Sequence, residues 1–276
     1  MKSGAPKSKL SIALIGASGR LGQAINRMIA LEFGDRAETI VEVGREHLKL
    51  SALDFAKAIS GCHLCLDVSL PGPCTAYMEK LLEAKKRKAL KSLPLFVVGS
   101  TGWTSNEMTV LKKYSASRPV LLAPNFSPVV NLFVGLLEQY APLFKEWGYD
   151  VSVTEVHHSQ KRDAPSGTAK ALIAPLEDAG HKPQVSSVRA GKIVGTHKVS
   201  FIGQQDIFEL QHEALDRDLF ARGAILAALW LGEMPLKSTG IFSMKDVIRR
   251  RYQKTSFLID PSNRSFGHSS VIRDIS

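Results

Sequence analysis

Over its first 125 residues the chain alternates, about five times, between short apolar runs and helical patterns, and this restricts the fold more than any other feature. Residues 10–16 (LSIALIG), 38–43, 63–69, 95–101 and 119–125 read as strands, with helical patterns at 21–33, 52–60, 74–91 and 105–117 between them. Continuous apolar strands need cover on both faces, and strands separated by helices pair in parallel. The first half is therefore expected to be a doubly covered α/β sheet. The pattern then changes. Residues 134–144 form an amphipathic helix, and 150–158 alternate like a half-buried antiparallel strand. Residues 184–190, 193–202 and 206–213 are strand-like, 218–232 an apolar helix and 244–250 a closing helix. The second half reads as α+β with a mostly antiparallel sheet. The last ~23 residues have no periodicity and are expected to be poorly ordered.

With 44% hydrophobic and 22% charged residues in 276, the composition excludes wholesale disorder and fibrous repeats. No apolar run approaches the ~18 residues of a membrane span, and MKSGAPKSKL lacks a signal peptide's apolar core. Three cysteines cannot all pair internally, so a reducing, cytoplasmic setting is expected. Cys62 and Cys65 would face opposite ways on a strand, which argues for packing rather than a shared metal or disulfide. The net charge of +10 concentrates at Lys85, Lys86, Arg87, Lys88 and Lys91, and in a tail with Arg249, Arg250, Arg251, Lys254, Arg264 and Arg273. No aromatic residue interleaves the first cluster as a base-stacking platform would, so no specific nucleic acid is expected.

Gly16-Ala17-Ser18-Gly19-Arg20-Leu21-Gly22 joins the first strand to the first helix. Glycines there permit a tight turn and close approach to a pyrophosphate, beside the helix N-terminus. At the end of the second strand a carboxylate commonly holds the adenosine ribose. If Gly44 stands at that position, Arg45 could grip a 2′-phosphate, which favours NADPH. Glu42 or Glu46 could instead serve after a small register shift.

Residues 155–169 read EVHHSQKRDAPSGTA. His157 and His158 point to opposite faces of a strand. Ser166 has the character of an N-cap, leaving the N–H groups of Gly167 and Thr168 for an anion, with Lys161 and His158 adding charge. Histidine suits proton transfer because it titrates near neutrality. No third metal ligand with suitable spacing is evident, and no metal is expected.

This stretch resembles the active-site signature of the dihydrodipicolinate reductase family. GASGRLG resembles its phosphate loop, and Gly99-Ser100-Thr101-Gly102-Trp103 its segment beside the nicotinamide. Ala123-Pro124-Asn125-Phe126-Ser127 with Asn131 resembles its hinge. Arg189-Ala190-Gly191, Gly195-Thr196-His197 and residues 240–247 also match, so the resemblance spans residues ~10–250. It implies a Rossmann-like dinucleotide-binding domain of residues 1–126 plus 237–276, with an inserted substrate and tetramerisation domain at 127–236. It implies His157 as the general acid and Lys161 as its catalytic partner, with His158, Ser166, Gly167 and Thr168 holding a small dicarboxylate. Gly16, Gly19, Arg20 and Leu21 would contact the pyrophosphate. Gly99, Thr101, Ala123, Asn125 and Phe126 would line the nicotinamide half. The implied reaction is NADPH- or NADH-dependent reduction of 4-hydroxy-tetrahydrodipicolinate in the diaminopimelate route to lysine, by a homotetramer. Ser18, Gly44, Leu70 and Ser100 depart from the family pattern. A different nicotinamide dehydrogenase of similar architecture, and a nucleotide- or nucleic-acid-binding protein without catalysis, are the competing classes.

Overall fold

The computed structural model describes residues 9–235 and 237–253. The tail expectation falls outside that range. Six parallel strands form the first sheet: β1 (Leu10–Ile15), β2 (Ala37–Val43), β3 (Leu64–Asp67), β4 (Leu95–Val98), β5 (Val120–Leu122) and β10 (Ile241–Phe242). Their order is β10-β5-β4-β3-β1-β2. Helices α2 (Ala52–Ala58), α3 (Pro71–Lys86) and α4 (Ser105–Ser115) cover one face, burying Phe55, Tyr77, Met78, Leu81, Leu111 and Tyr114. On the other face lie α1 (Arg20–Met28), α7 (Asp218–Gly232) and α8 (Met244–Gln253). α7 buries Ala221, Gly223, Ala224, Ala227 and Ala228, whose small side chains let it approach closely, and anchors with Ile225 and Leu231. Burying each of those two contributes roughly 1.5–3 kcal/mol. α7 therefore packs into the first core, although it precedes residue 236 in the chain.

The second sheet is β7-β6-β8-β9, from β6 (Asp150–His157), β7 (Gln184–Arg189), β8 (Gly195–Ile202) and β9 (Ile207–Ala214). β6–β8 and β8–β9 pair antiparallel. β6–β7 pairs parallel because α6 (Gly167–Asp178) makes the crossover between them. The sheet is mixed, with the expected antiparallel majority. Together with α5 (Pro128–Glu146), α6 buries Val151, Val153, Val199 and Phe201 on one face of this sheet.

Helix ends moved for local reasons. α3 begins at Pro71, whose fixed φ is preorganised for a first turn, and α5 begins at Pro128 behind the Ser127 cap. The first basic cluster closes α3: the Lys85 ammonium reaches the Lys91 carbonyl, and Arg87 pairs with Glu83. Lys88 adopts φ 61° and stops the helix. Cys62, Cys65 and Cys74 are free thiols, and Cys65 is buried in β3. None of the described helices is long and apolar enough to cross a membrane.

Candidate active site

The C-terminal ends of β1, β3 and β4 converge on the glycine loop, where open α/β sheets bind ligands. Gly16 takes φ 83°, a left-handed turn that favours glycine. A Cβ at Gly22 would lie 2.4 Å from the Gly16 carbonyl oxygen, so α1 packs on the loop only because that side chain is missing. α1 has Gly19 as its cap, no side-chain cap bond and no acidic residue in its first turn. Its free N–H groups and dipole are left for an anion, with Arg20 exposed at the first helical position. The cradle fits a dinucleotide pyrophosphate. Leu21 is half-buried against the core behind it.

Beneath the loop, Asp67 is fully buried. Its Oδ1 accepts from the Ser69 N–H and hydroxyl at 2.8 and 2.7 Å. Burial pushes its carboxyl up to about 6 despite those bonds. At the ribose end, Gly44 leaves a space that Glu46 fills: the Gly44 N–H donates to Glu46 Oε1 at 3.1 Å. Glu42 accepts from Asn26 at 2.7 Å, and Arg45 is exposed beside them.

Gly99 stands against the Phe126 ring, where a Cβ would lie 2.4 Å from Cε2. Ala123 is buried at the end of β5, while Thr101 is exposed. Asn125 organises the connection between the sheets. Its Oδ1 accepts from the Ser127 N–H at 2.8 Å, and its carbonyl from Asn131 at 2.8 Å. Its Nδ2 donates to Thr168 Oγ1 at 3.0 Å, tying the hinge to the start of α6.

Period-two geometry puts Glu155 and His157 on the same face of β6. Glu155 is fully buried. Its Oε1 accepts from Arg189 at 2.7 Å and from the Ser166 N–H at 3.1 Å. Desolvation raises its pKa, but the bonds from Arg189, Ser187 and Ser166 prevail and hold the carboxyl near about 2. Oε2 approaches His157 Nδ1 at 2.7 Å, an ion-pair distance. His157 is 7% exposed. Burial lowers its pKa, the Glu155 charge raises it, and Lys161 and Arg189 lower it further. A Cβ at Gly195 would come within 2.9 Å of His157 Nε2, so glycine there keeps that nitrogen clear.

Lys161 pairs with Asp163 at 2.8 Å. Asp163 is held below the usual carboxylate range by Lys161 first and, more weakly, by the Gly167 N–H. The two donors expected to hold a substrate carboxylate thus already hold one. Ser166 caps α6 as expected, accepting from the Ala169 N–H at 3.1 Å, and its Oγ meets His197 Nε2 at 3.2 Å. His158 joins this turn through its carbonyl, which accepts from the Lys161 N–H.

The structure gathers His157, Lys161, Ser166, Gly167 and Thr168 at one end of β6 and α6, with Arg45 apart at the end of β2. The motif reading gave no role to Glu155 or Asp163. Glu155 was findable, two residues before His157 on a strand. Nor did it find a third partner for the histidines. His197 comes from β8, and one ligand atom each of Glu155, His157 and His197 lie within 4.8 Å of one another.

Two family models match the chain: "Dihydrodipicolinate reductase, N-terminus" over residues 10–126 and "Dihydrodipicolinate reductase, C-terminus" over 129–248. Curated relatives named 4-hydroxy-tetrahydrodipicolinate reductase include that of Caulobacter vibrioides, 32% identical over 271 residues (87% of this chain and 97% of the relative). Those of Aquifex aeolicus and Stenotrophomonas maltophilia are 33% and 34% identical, covering 86% and 88% of this chain and 98% and 99% of their own. Among solved structures, a dipicolinate-bound dihydrodipicolinate reductase from Paenisporosarcina sp. TG-14 shares the fold. Its TM-score is 0.62 at 20% identity, over 85% of this chain and 98% of that one. A DAP dehydrogenase from C. glutamicum, solved in complex with DAP, shares it at TM-score 0.56 and 10% identity, over 91% of this chain and 100% of that one.

Proposed function

Because the chain belongs to the dihydrodipicolinate reductase family, we propose that it reduces 4-hydroxy-tetrahydrodipicolinate to tetrahydrodipicolinate, on the diaminopimelate route to lysine. One hydride and one proton enter the ring, and its hydroxyl leaves as water together with a hydrogen from the adjacent ring carbon. The observation that carries this reading is the convergence of His157, Lys161 and the Ser166-capped start of α6, backed by buried Glu155.

The α1 cradle of Gly16, Gly19, Arg20 and Leu21 would hold the pyrophosphate of NADPH or NADH, with Arg45 at the ribose end. Gly99, Thr101, Ala123, Asn125 and Phe126 would line the nicotinamide half. When bound, the nicotinamide supplies the hydride to ring C4. Everything else falls to the chain. The substrate's carboxylates displace Asp163 from Lys161 and the Gly167 N–H, with His158, Ser166 and Thr168 completing the site. Two negative charges arriving beside His157 raise its pKa, so binding loads the proton it then gives to the ring. Nδ1 faces Glu155, and Nε2 is the nitrogen left clear to donate.

In this reading residues 9–126, α7 and 237–253 make the dinucleotide-binding domain, and 127–217 the substrate domain, through whose sheet a cytoplasmic homotetramer assembles. The test is oxidation of NADPH and NADH with substrate generated in situ from pyruvate and aspartate semialdehyde by the preceding synthase. Rapid synthase-dependent loss of nicotinamide absorbance is expected. Cofactor binding without turnover would overturn the assignment and direct attention to other dicarboxylates.

A further inference from the structure

We propose that Glu155, His157 and His197 form a binding site for a divalent transition-metal ion of the zinc class. The antiparallel register pairs Glu155 directly with His197 across β6 and β8, and His157 follows two residues on along the same face. One ligand atom from each of the three lies within 4.8 Å of the others. All three residues are buried, at 0%, 7% and 3% exposure. Glu155 Oε2 and His157 Nδ1 face each other at 2.7 Å, and His197 Nδ1 is buried without a hydrogen-bond partner.

The surroundings orient these atoms as metal ligands are oriented. Glu155 Oε1 is fixed by Arg189 and the Ser166 N–H, leaving Oε2. His197 Nε2 faces the Ser166 hydroxyl, which already accepts from Ala169. A proton on Nε2 leaves Nδ1 with a bare lone pair. Two imidazoles, a carboxylate and one open position suit zinc. Lys161 is balanced beforehand by Asp163, and Glu155 shares its carboxylate between Arg189 on Oε1 and the ion on Oε2. Binding through His157 Nδ1 moves that nitrogen's proton to Nε2, with no net change for the neutral ring. An ion there immobilises the imidazole. A second consequence, which rests on the proposed role of His157 as proton donor, is reversible inhibition of the reductase.

The full chain, stripped with a chelator, is titrated with zinc chloride by calorimetry, and the complex is examined by X-ray absorption. One ion per chain is expected, with two imidazoles and oxygen donors around it. His197→Gln, checked for folding by circular dichroism, is expected to weaken binding roughly tenfold or more. No binding, a shell with fewer than two imidazoles (as exposed surface groups would give), or unchanged affinity in folded His197→Gln overturns the proposal. If that variant does not fold, the absorption spectrum of the unaltered protein decides. Turnover is measured separately. An active enzyme that binds no zinc sinks the metal site alone. A two-imidazole zinc complex without reductase activity upholds the site and sinks the functional reading.

Discussion

Asn125 Nδ2 donates to Thr168 Oγ1 across 3.0 Å, and this bond joins the connection leaving the first sheet to the first turn of α6. The same asparagine holds the turn at Ser127 and is itself held by Asn131. Asn125→Ala is expected to lose about 1 kcal/mol of positioning, roughly fivefold in kcat/KM, with a rise in substrate KM. An unchanged KM in steady-state assays would show that the bond is incidental.

His157→Gln is expected to lower kcat by about 10²–10⁴-fold with little change in KM, because only proton donation is removed. Lys161→Ala should damage both parameters if its ammonium binds substrate and assists as proposed. Normal turnover in both variants would remove the proposed mechanism.

Glu155→Gln is expected to lower kcat by roughly tenfold or more, less than His157→Gln. Its diagnostic is the pH profile. The Glu155 charge raises the His157 pKa, so removing it should move the alkaline limb of kcat/KM to lower pH. A purely structural role would leave that limb in place.

Burial holds His197 down at about 4, well below its ordinary 6.5, with the neighbouring His157 contributing. The unfolded chain binds the extra proton between those values. Stability from this group is therefore full above pH 6.5 and lost as pH falls toward 4, by up to roughly 3 kcal/mol. Asp67, raised to about 6, acts in the opposite sense between 3.8 and 6. Denaturant titrations of wild type and His197→Gln at a series of pH values separate the two, and the variant should show a flatter fall below pH 6.5. Identical slopes would contradict the assignment.

Gly223→Ala is expected to destabilise by about 2–3 kcal/mol, lowering Tm by roughly 5–10 °C. The new Cβ would stand 1.8 Å from the Phe126 carbonyl oxygen, so the helix or the hinge must move. Thermal unfolding checks this, and an unchanged Tm would mean that α7 shifts freely.

Arg45→Ala is expected to weaken NADPH about tenfold and NADH much less, as read by cofactor-fluorescence titration. Equal losses would mean that Arg45 does not read the 2′-phosphate, with Glu46, folded over Gly44, the next residue to vary.

Period and punctuation made much of the fold legible. α7 occupies the expected 218–232 without shift, because an apolar helical pattern ended by Gly232 is a purely local signal. β10, at two residues, is too short to carry a period, and it exists because β5 offers it an open edge. The parallel pairing of β6 with β7 also escaped, since alternation in a strand says nothing about its partner's direction. In the site, Ser166 was legible as a cap because capping is decided within four residues.

The sequence by itself determined the local elements that present the candidate residues: the glycine loop before α1, the histidine ending β6, the serine starting α6. Periodicity and capping act over a few residues, so those assignments need no knowledge of the rest of the chain. Only the tertiary structure decided what surrounds them. His197 reaches Glu155 from 42 positions away because β8 pairs with β6 in one register, and a slip of one residue would turn it to the other face. Arg189 meets Glu155 only because α6 brings β7 back parallel. Burial, which lowers the pKa of His157 and His197, and the bonds that keep Glu155 ionised against it exist only once distant segments have closed over them, and no local pattern encodes them.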